Sequence, residues 1–395
     1  MSEAAEIYYQ PTRGPLADLA RRARESARAR MRGLARRISG PPRPPAAAVE
    51  KGQGPYFALS GFEASFDELE AILFSPEILA AVDAPPPASF IDLAPPAPRL
   101  PHGADVFGTR PRRRAPYIVD LIPMSLEFDL LELRLMQLFD LVDRFIIVEA
   151  PRSYGGARKP LFFDRHRSRF ERFASKITCV QLPDAAIGAV YARAVRNGSG
   201  YAGDVAMHVA MWKALRESIE LTADTIVISS DLDEIPSRAL VHLLREREVP
   251  LPLRVRMPTL RYRFDVADPE TEADILLLSS ADAPRLDANG MLIRDLPAPV
   301  IRARGTVHLT SFAPPLVLIA KFAMTTDWDE GIVPFIRNEH DETARMMAEP
   351  TWFSRPLPSY DAERDPDGLI PWYARANRAR YAGFWSPAGS RPPTR

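Results

Sequence analysis

From Tyr117 onward the chain alternates short apolar runs with longer stretches whose apolar residues recur every three or four positions. The runs predict strands over residues 117–121, 144–149, 177–182 and 225–230. The longer stretches predict helices over residues 125–139, 165–174, 203–220 and 238–246, with Pro236 in the first turn of the last one. Strands alternating with helices at this spacing imply parallel βαβ units in a helix-covered sheet, so the expected fold class is α/β.

The preceding region has a different pattern. Over residues 15–38, Leu16, Leu19, Ala23, Ala27, Met31, Leu34 and Ile38 form a helical stripe, and arginines cover the other faces. Residues 40–54 are rich in proline, glycine and alanine and read as a linker. A short acidic helical patch follows over 66–82, carrying Leu69, Ile72, Leu73, Ile78 and Leu79. It suits docking on the main domain or on a partner. Proline-rich residues 84–116 follow it, so the expected division is an Arg/Pro-rich extension over 1–115 and a catalytic-type domain over 116–390.

Composition changes this picture in one respect. The formal charge is zero over 395 residues, with 51 basic and 51 acidic side chains, but the charges are segregated. Ten arginines and no lysines fall between Arg13 and Arg43, against only Asp18 and Glu25. A basic amphipathic helix of this kind suits peripheral contact with an anionic membrane through residues 15–38, or a solvated or partner-packed helix. Nucleic acid is not an expected partner, since no aromatic platform accompanies the arginines. Cys179 is the only cysteine, so no internal disulfide can form. There is no apolar run of membrane-spanning length and no apolar secretory segment, and the expected compartment is the cytoplasm.

The candidate chemistry lies at residues 225–236, where the run Ile226-Val227-Ile228 leads into Ser230-Asp231-Leu232-Asp233-Glu234. Ligand sites in open α/β sheets form just beyond the carboxyl ends of strands. If the backbone stays extended, Asp231 and Asp233 share one face about 6.5 Å apart at Cα. Carboxylates so placed suit Mg²⁺ or Mn²⁺ with phosphate oxygens filling the other positions. A solvated turn with a helix cap is the plainer reading of Asp-x-Asp alone.

Three segments in order make the pattern more specific. They are Asp120-Leu121-Ile122-Pro123 with Glu127-Phe128-Asp129-Leu130-Leu131-Glu132-Leu133-Arg134-Leu135; Phe145-Ile146-Ile147-Val148-Glu149-Ala150, continuing through Tyr154-Gly155 to Lys159-Pro160-Leu161-Phe162-Phe163; and Ser230 to Pro236. Weaker echoes follow at Gly305 to Phe312, which includes His308, and at Ile370 to Asn377. Together, over about residues 117–385, they resemble glycosyltransferase family 17, which contains the β-1,4-mannosyl-glycoprotein N-acetylglucosaminyltransferases.

The resemblance implies a GT-A type fold, a UDP-linked donor carrying N-acetylglucosamine, a saccharide acceptor and inversion at the sugar C1. By the same analogy Asp233 is a direct metal ligand, Asp231 reaches ribose or a metal-bound water, and His308 completes the metal shell. His308 also fits a core histidine between Val307 and Leu309. Glu149 is expected at the nucleotide, and Lys159 or Arg152 is expected to supply a cation for the leaving phosphate. Inversion needs a base, for which Asp329 beside Trp328 is the first candidate and Glu234 the second. The family commonly shows His-x-Glu where this chain has Asp327 and Asp329. Glu127, Asp129 and Arg134 also suit a structural ion-pair cluster.

Two other readings stand beside a metal-dependent transferase. One is a non-catalytic saccharide-binding or scaffold protein derived from a transferase. The other is a haloacid-dehalogenase-type phosphatase, disfavoured because Glu234 follows the second aspartate and because the motif lies late in the chain.

Overall fold

Ile118 and Ile122 face one side of a central sheet while Val119 and Leu121 face the other, and this alternation defines the two layers of core. A computed structural model describes residues 7–10, 66–100, 109–154, 156–185, 187–188, 202–271, 273–282, 296–324, 343–345, 347–352 and 355–385. The helical stripe expected over 15–38 and the segment with Trp328 and Asp329 lie outside the described residues.

The strands in chain order are β1 (Ile7–Gln10), β2 (Tyr117–Pro123), β3 (Arg144–Glu149), β4 (Ile177–Gln181), β5 (Thr225–Ser229), β6 (Glu234–Ile235), β7 (Leu253–Met257), β8 (Thr259–Arg261), β9 (Ala273–Ser279), β10 (Val300–Ala303) and β11 (Val307–Thr310). The central sheet has the order β1-β10-β7-β9-β5-β2-β3-β4. Within it β4, β3, β2 and β5 are mutually parallel, as the alternation of elements predicts. β9 runs antiparallel to both β5 and β7, and β10 returns parallel to β7. Thus the sheet is mostly parallel, with β9 reversed beside the motif-bearing strand and β1 reversed at the edge, antiparallel to β10.

The helices are α1 (Phe66–Leu73), α2 (Pro76–Asp83), α3 (Phe128–Leu138), α4 (Phe162–Arg165), α5 (Ala202–Ser218), α6 (Arg238–Glu246) and α7 (Pro315–Met324). Ala206, Met207, Ala210, Met211, Ala214 and Leu215 of α5 close one face of the sheet over Val119, Ile146 and Val227. α3, α6 and α7 belong to the other layer, with Ile118, Ile147 and Ile228. Two predicted features change. The helix expected over 165–174 is a 3-10 helix, Arg167–Lys176. α6 has the expected bounds, but Pro236 lies ahead of it rather than in its first turn, because the Leu240 N–H donates to the Ser237 hydroxyl at 3.2 Å and makes Ser237 the cap.

The acidic patch becomes two helices, since Ser75 caps α2 by accepting from the Ile78 N–H. Leu69, Leu73, Ile78 and Val82 are buried in the main core, and both helices pack on α7. Downstream, Phe90 stacks on Tyr373, and the Arg172 guanidinium lies 3.7 Å from the centre of its ring. These contacts cross the boundary expected near residue 115. The described helices of the extension bury their apolar faces in the core of the main domain.

Candidate functional site

The carboxyl end of β5 opens onto a cleft of about 470 Å³, lined in part by Glu127, Asp231, Asp233, Glu234, His308 and Lys321. β5 ends at Ser229, and Asp231 to Glu234 form a tight turn in which the Glu234 N–H donates to the Asp231 carbonyl at 3.1 Å. The extended geometry expected for Asp231 and Asp233 therefore does not occur. Both still line the cleft, Asp233 buried and Asp231 partly exposed.

Arg134 holds this turn from below. It projects from α3 and pairs with Asp120 of β2 in a two-pronged bridge of 2.8 and 2.6 Å. Its remaining N–H groups reach the carbonyls of Asp231, Leu232 and Glu234 and the Ser230 hydroxyl. One planar guanidinium thus satisfies a carboxylate and several motif oxygens in the core. Glu234 secures the turn from the other end, accepting the Asp231 N–H on Oε2 at 2.7 Å.

A second, three-stranded sheet brings the histidine to the turn. β11 pairs antiparallel with β6, setting His308 opposite Glu234, and parallel with β8, setting it opposite Thr259. The Thr259 hydroxyl donates to the Thr271 carbonyl at 2.9 Å, so it accepts from His308 Nδ1–H at 3.2 Å. That contact orients the ring and turns Nε2 towards Asp233, 3.5 Å from Oδ2. With Nδ1 engaged by Thr259, Nε2 is the ring atom left to meet Asp233.

Lys321 of α7 supplies a cation on the same oxygen. Its ammonium bridges Glu127 Oε1 and Asp233 Oδ2, the latter at 2.7 Å. Burial works against ionised Asp233, but Lys321 and His308 outweigh it and hold that carboxyl far below its usual range. Burial likewise opposes the Lys321 charge, yet Asp233 and Glu127 raise its pKa well above an ordinary lysine's. Burial pushes the Glu127 carboxyl up, against the pull of Lys321. Among the described residues no three carboxylate, imidazole or thiol groups converge to hold a metal as they stand.

The structure therefore brings together Asp231, Asp233, Glu234 and His308 from the sequence reading. It does not bring Glu149 or Lys159 to the cleft. Both are buried, and Glu149 accepts Lys159 Nζ at 3.2 Å and the Phe162 N–H at 2.6 Å, which corrects their expected contact with nucleotide. A carboxylate at the end of a buried strand is here spent on anchoring the loop into α4. Arg152 pairs with Asp184, 2.9 Å from Nη2, and also donates to the Gly156 carbonyl. Nor do Glu127, Asp129 and Arg134 form one cluster, since Glu127 takes Lys321, Asp129 takes Arg169 and Arg134 takes Asp120.

Lys321 escaped the sequence reading. The available signal was a single charged residue inside the otherwise apolar stretch Pro315–Met324. No helix of the described residues is long and apolar enough to cross a membrane.

No curated protein matches the chain. His308 and Lys321 lie beyond the segment that does find a family match. That segment, residues 99–272, carries the Asp120–Arg134 pair and the motif turn, and it matches the model of glycosyltransferase family 17.

Proposed function

We propose that the chain is a metal-assisted, inverting glycosyltransferase of GT-A type, which moves N-acetylglucosamine from a UDP-linked donor to a saccharide acceptor. The family implies a sugar donor and a saccharide acceptor. The single observation that carries the finer reading is the convergence of Asp233, His308 and Lys321 beside the motif turn at the carboxyl edge of β5. The mostly parallel sheet, in which β9 is reversed beside β5, supports the GT-A assignment.

Asp233 and His308 are the residues that would hold Mn²⁺ or Mg²⁺, with Asp231 at the rim of the cleft. Hard oxygens and an imidazole whose Nε2 faces them fit such ions, which commonly take only one or two protein carboxylates alongside substrate phosphates. When bound, the ion would neutralise charge developing on the leaving diphosphate. Thr259 keeps the His308 ring in its orientation, and Arg134 keeps the turn in shape. Lys321 replaces Lys159 and Arg152 as the cation available to the diphosphate. The acceptor hydroxyl proton goes to a carboxylate, for which Asp329 is proposed first. Glu234 is second because its Oε2 already accepts the Asp231 N–H.

Calorimetric titration of UDP and of UDP-N-acetylglucosamine, with Mn²⁺ or EDTA, tests the reading on wild type and Asp233→Asn. Metal-dependent binding that the substitution abolishes is the expected result. Absence of binding by the folded protein would sink the UDP-donor reading. The proposed location is the cytoplasm, with residues 15–38 on an anionic membrane. Co-sedimentation with phosphatidylserine vesicles, lost when those arginines are replaced by glutamine, checks the membrane contact.

A further inference from the structure

We propose that Lys321 is a built-in competitor for the divalent cation: its ammonium holds the cation position on Asp233 until a diphosphate draws it away, so that metal and nucleotide bind cooperatively. The proposal rests on the donor-site reading above.

Three observations carry it. Glu127, ahead of α3, and Asp233, in the motif turn, come from distant parts of the chain, yet one oxygen of each meets the same nitrogen. Two carboxylate oxygens converging on a point, with His308 Nε2 only 3.5 Å from one of them, describe a cation position already filled by an ammonium. A dication on Asp233 Oδ2 would stand next to the Lys321 charge, and like charges at that separation repel strongly in a partly buried site.

The second observation is that only the side chain has to move. α7 is anchored by Leu318, Ile319, Ala320, Phe322 and Ala323, all buried, whereas the Lys321 side chain retains 20% of its exposure. A four-carbon stem lets the ammonium leave Asp233 while the helix stays packed. The third is the direction available to it. Lys321 lines the same cleft as Asp231 and His308, so a diphosphate placed there offers the ammonium new anionic partners. Transfer of the ammonium to the diphosphate frees Asp233 for the metal, and by linkage bound metal raises nucleotide affinity by the same factor.

The test measures Mn²⁺ binding by the electron paramagnetic resonance of the free ion. It uses the full chain with and without UDP, corrected for the Mn²⁺–UDP complex in solution. In the absence of nucleotide, Lys321→Met is expected to bind Mn²⁺ at least tenfold more tightly than wild type, while Lys321→Arg is not. UDP should strengthen Mn²⁺ binding severalfold in wild type and much less in Lys321→Met. Mn²⁺ affinity equal to or weaker than wild type in folded Lys321→Met overturns the proposal and leaves the donor reading standing if wild type still takes up Mn²⁺ with UDP. No Mn²⁺ uptake by any form, even with UDP, overturns both. Should Lys321→Met fail to fold with Glu127 and Asp233 left side by side, the wild-type coupling decides. Equal Mn²⁺ affinity with and without UDP then overturns the proposal.

Discussion

Arg134 and Asp120 form a two-pronged ion pair in which neither side chain is exposed, and the same guanidinium carries the carbonyls of the motif turn. One residue therefore ties the turn to the sheet interior. Replacing Arg134 by Met leaves a buried carboxylate without its cation and strands several carbonyls. The expected loss is about 3–5 kcal/mol, seen as a lower urea midpoint. Arg134→Lys should also lose nucleotide binding, because a single ammonium cannot span Asp120 and the turn. The double variant Asp120→Asn with Arg134→Met should recover part of the lost stability, and additive losses would show that the pair is not coupled.

How much of this was legible in the sequence differs from element to element. β3 was readable to the residue because Phe145-Ile146-Ile147-Val148 is an unbroken apolar run buried on both faces. β9 was missed although Ile275 to Leu278 is equally apolar, since only its antiparallel pairing with β5 and β7 gives it a place. Among site residues, Asp231 and Asp233 were marked by their position after a strand. Lys321 lies 88 residues beyond Asp233 and was not. Conversely, Glu149 was expected at the nucleotide and Lys159 at its leaving phosphate, and nothing local in the sequence reveals that the two consume each other's charge in the core.

Glu234 holds the turn through its Oε2 and is also the second candidate for the base. The two roles separate on substitution. Glu234→Gln keeps an oxygen that accepts the Asp231 N–H, so its thermal midpoint should stay close to wild type. Glu234→Ala removes the acceptor and should cost about 1–3 kcal/mol. A folded Glu234→Gln with unimpaired transfer would exclude Glu234 as base and leave Asp329. A large fall in kcat with unchanged UDP affinity would favour Glu234.

Cys179, in β4, is half-buried beside Glu149, and burial first and that carboxylate second push its thiol up to about 11. Thiolate is the reactive form, so at neutral pH the side chain should be nearly inert. Ellman's reagent should react with the native protein far more slowly than with a small free thiol, and with one equivalent after unfolding. Rapid stoichiometric reaction of the native protein would contradict the packing of β4.

Asp268 is buried between Arg261 and Arg355, receiving Arg261 Nε and Arg355 Nη2 at 2.8 Å each and the Thr271 hydroxyl at 2.8 Å. Burial would raise its pKa, but the Arg355 hydrogen bond, the Arg261 charge and the remaining donors outweigh that and bring it down to about 2. A carboxylate lowered on folding contributes its full stabilisation above its unfolded pKa of about 3.9. It loses that contribution as pH falls towards about 2, since the unfolded chain takes up the proton first. Unfolding midpoints should therefore decline from about pH 4 downward, and more shallowly in Asp268→Asn, which has no charge to lose. Asp268→Asn should be less stable than wild type at pH 7 and approach it near pH 2. Because Arg261 also lies over Trp352, its guanidinium 3.6 Å from the ring centre, indole fluorescence should report the change locally. Parallel pH profiles for the two proteins would show that Asp268 is not the group that titrates.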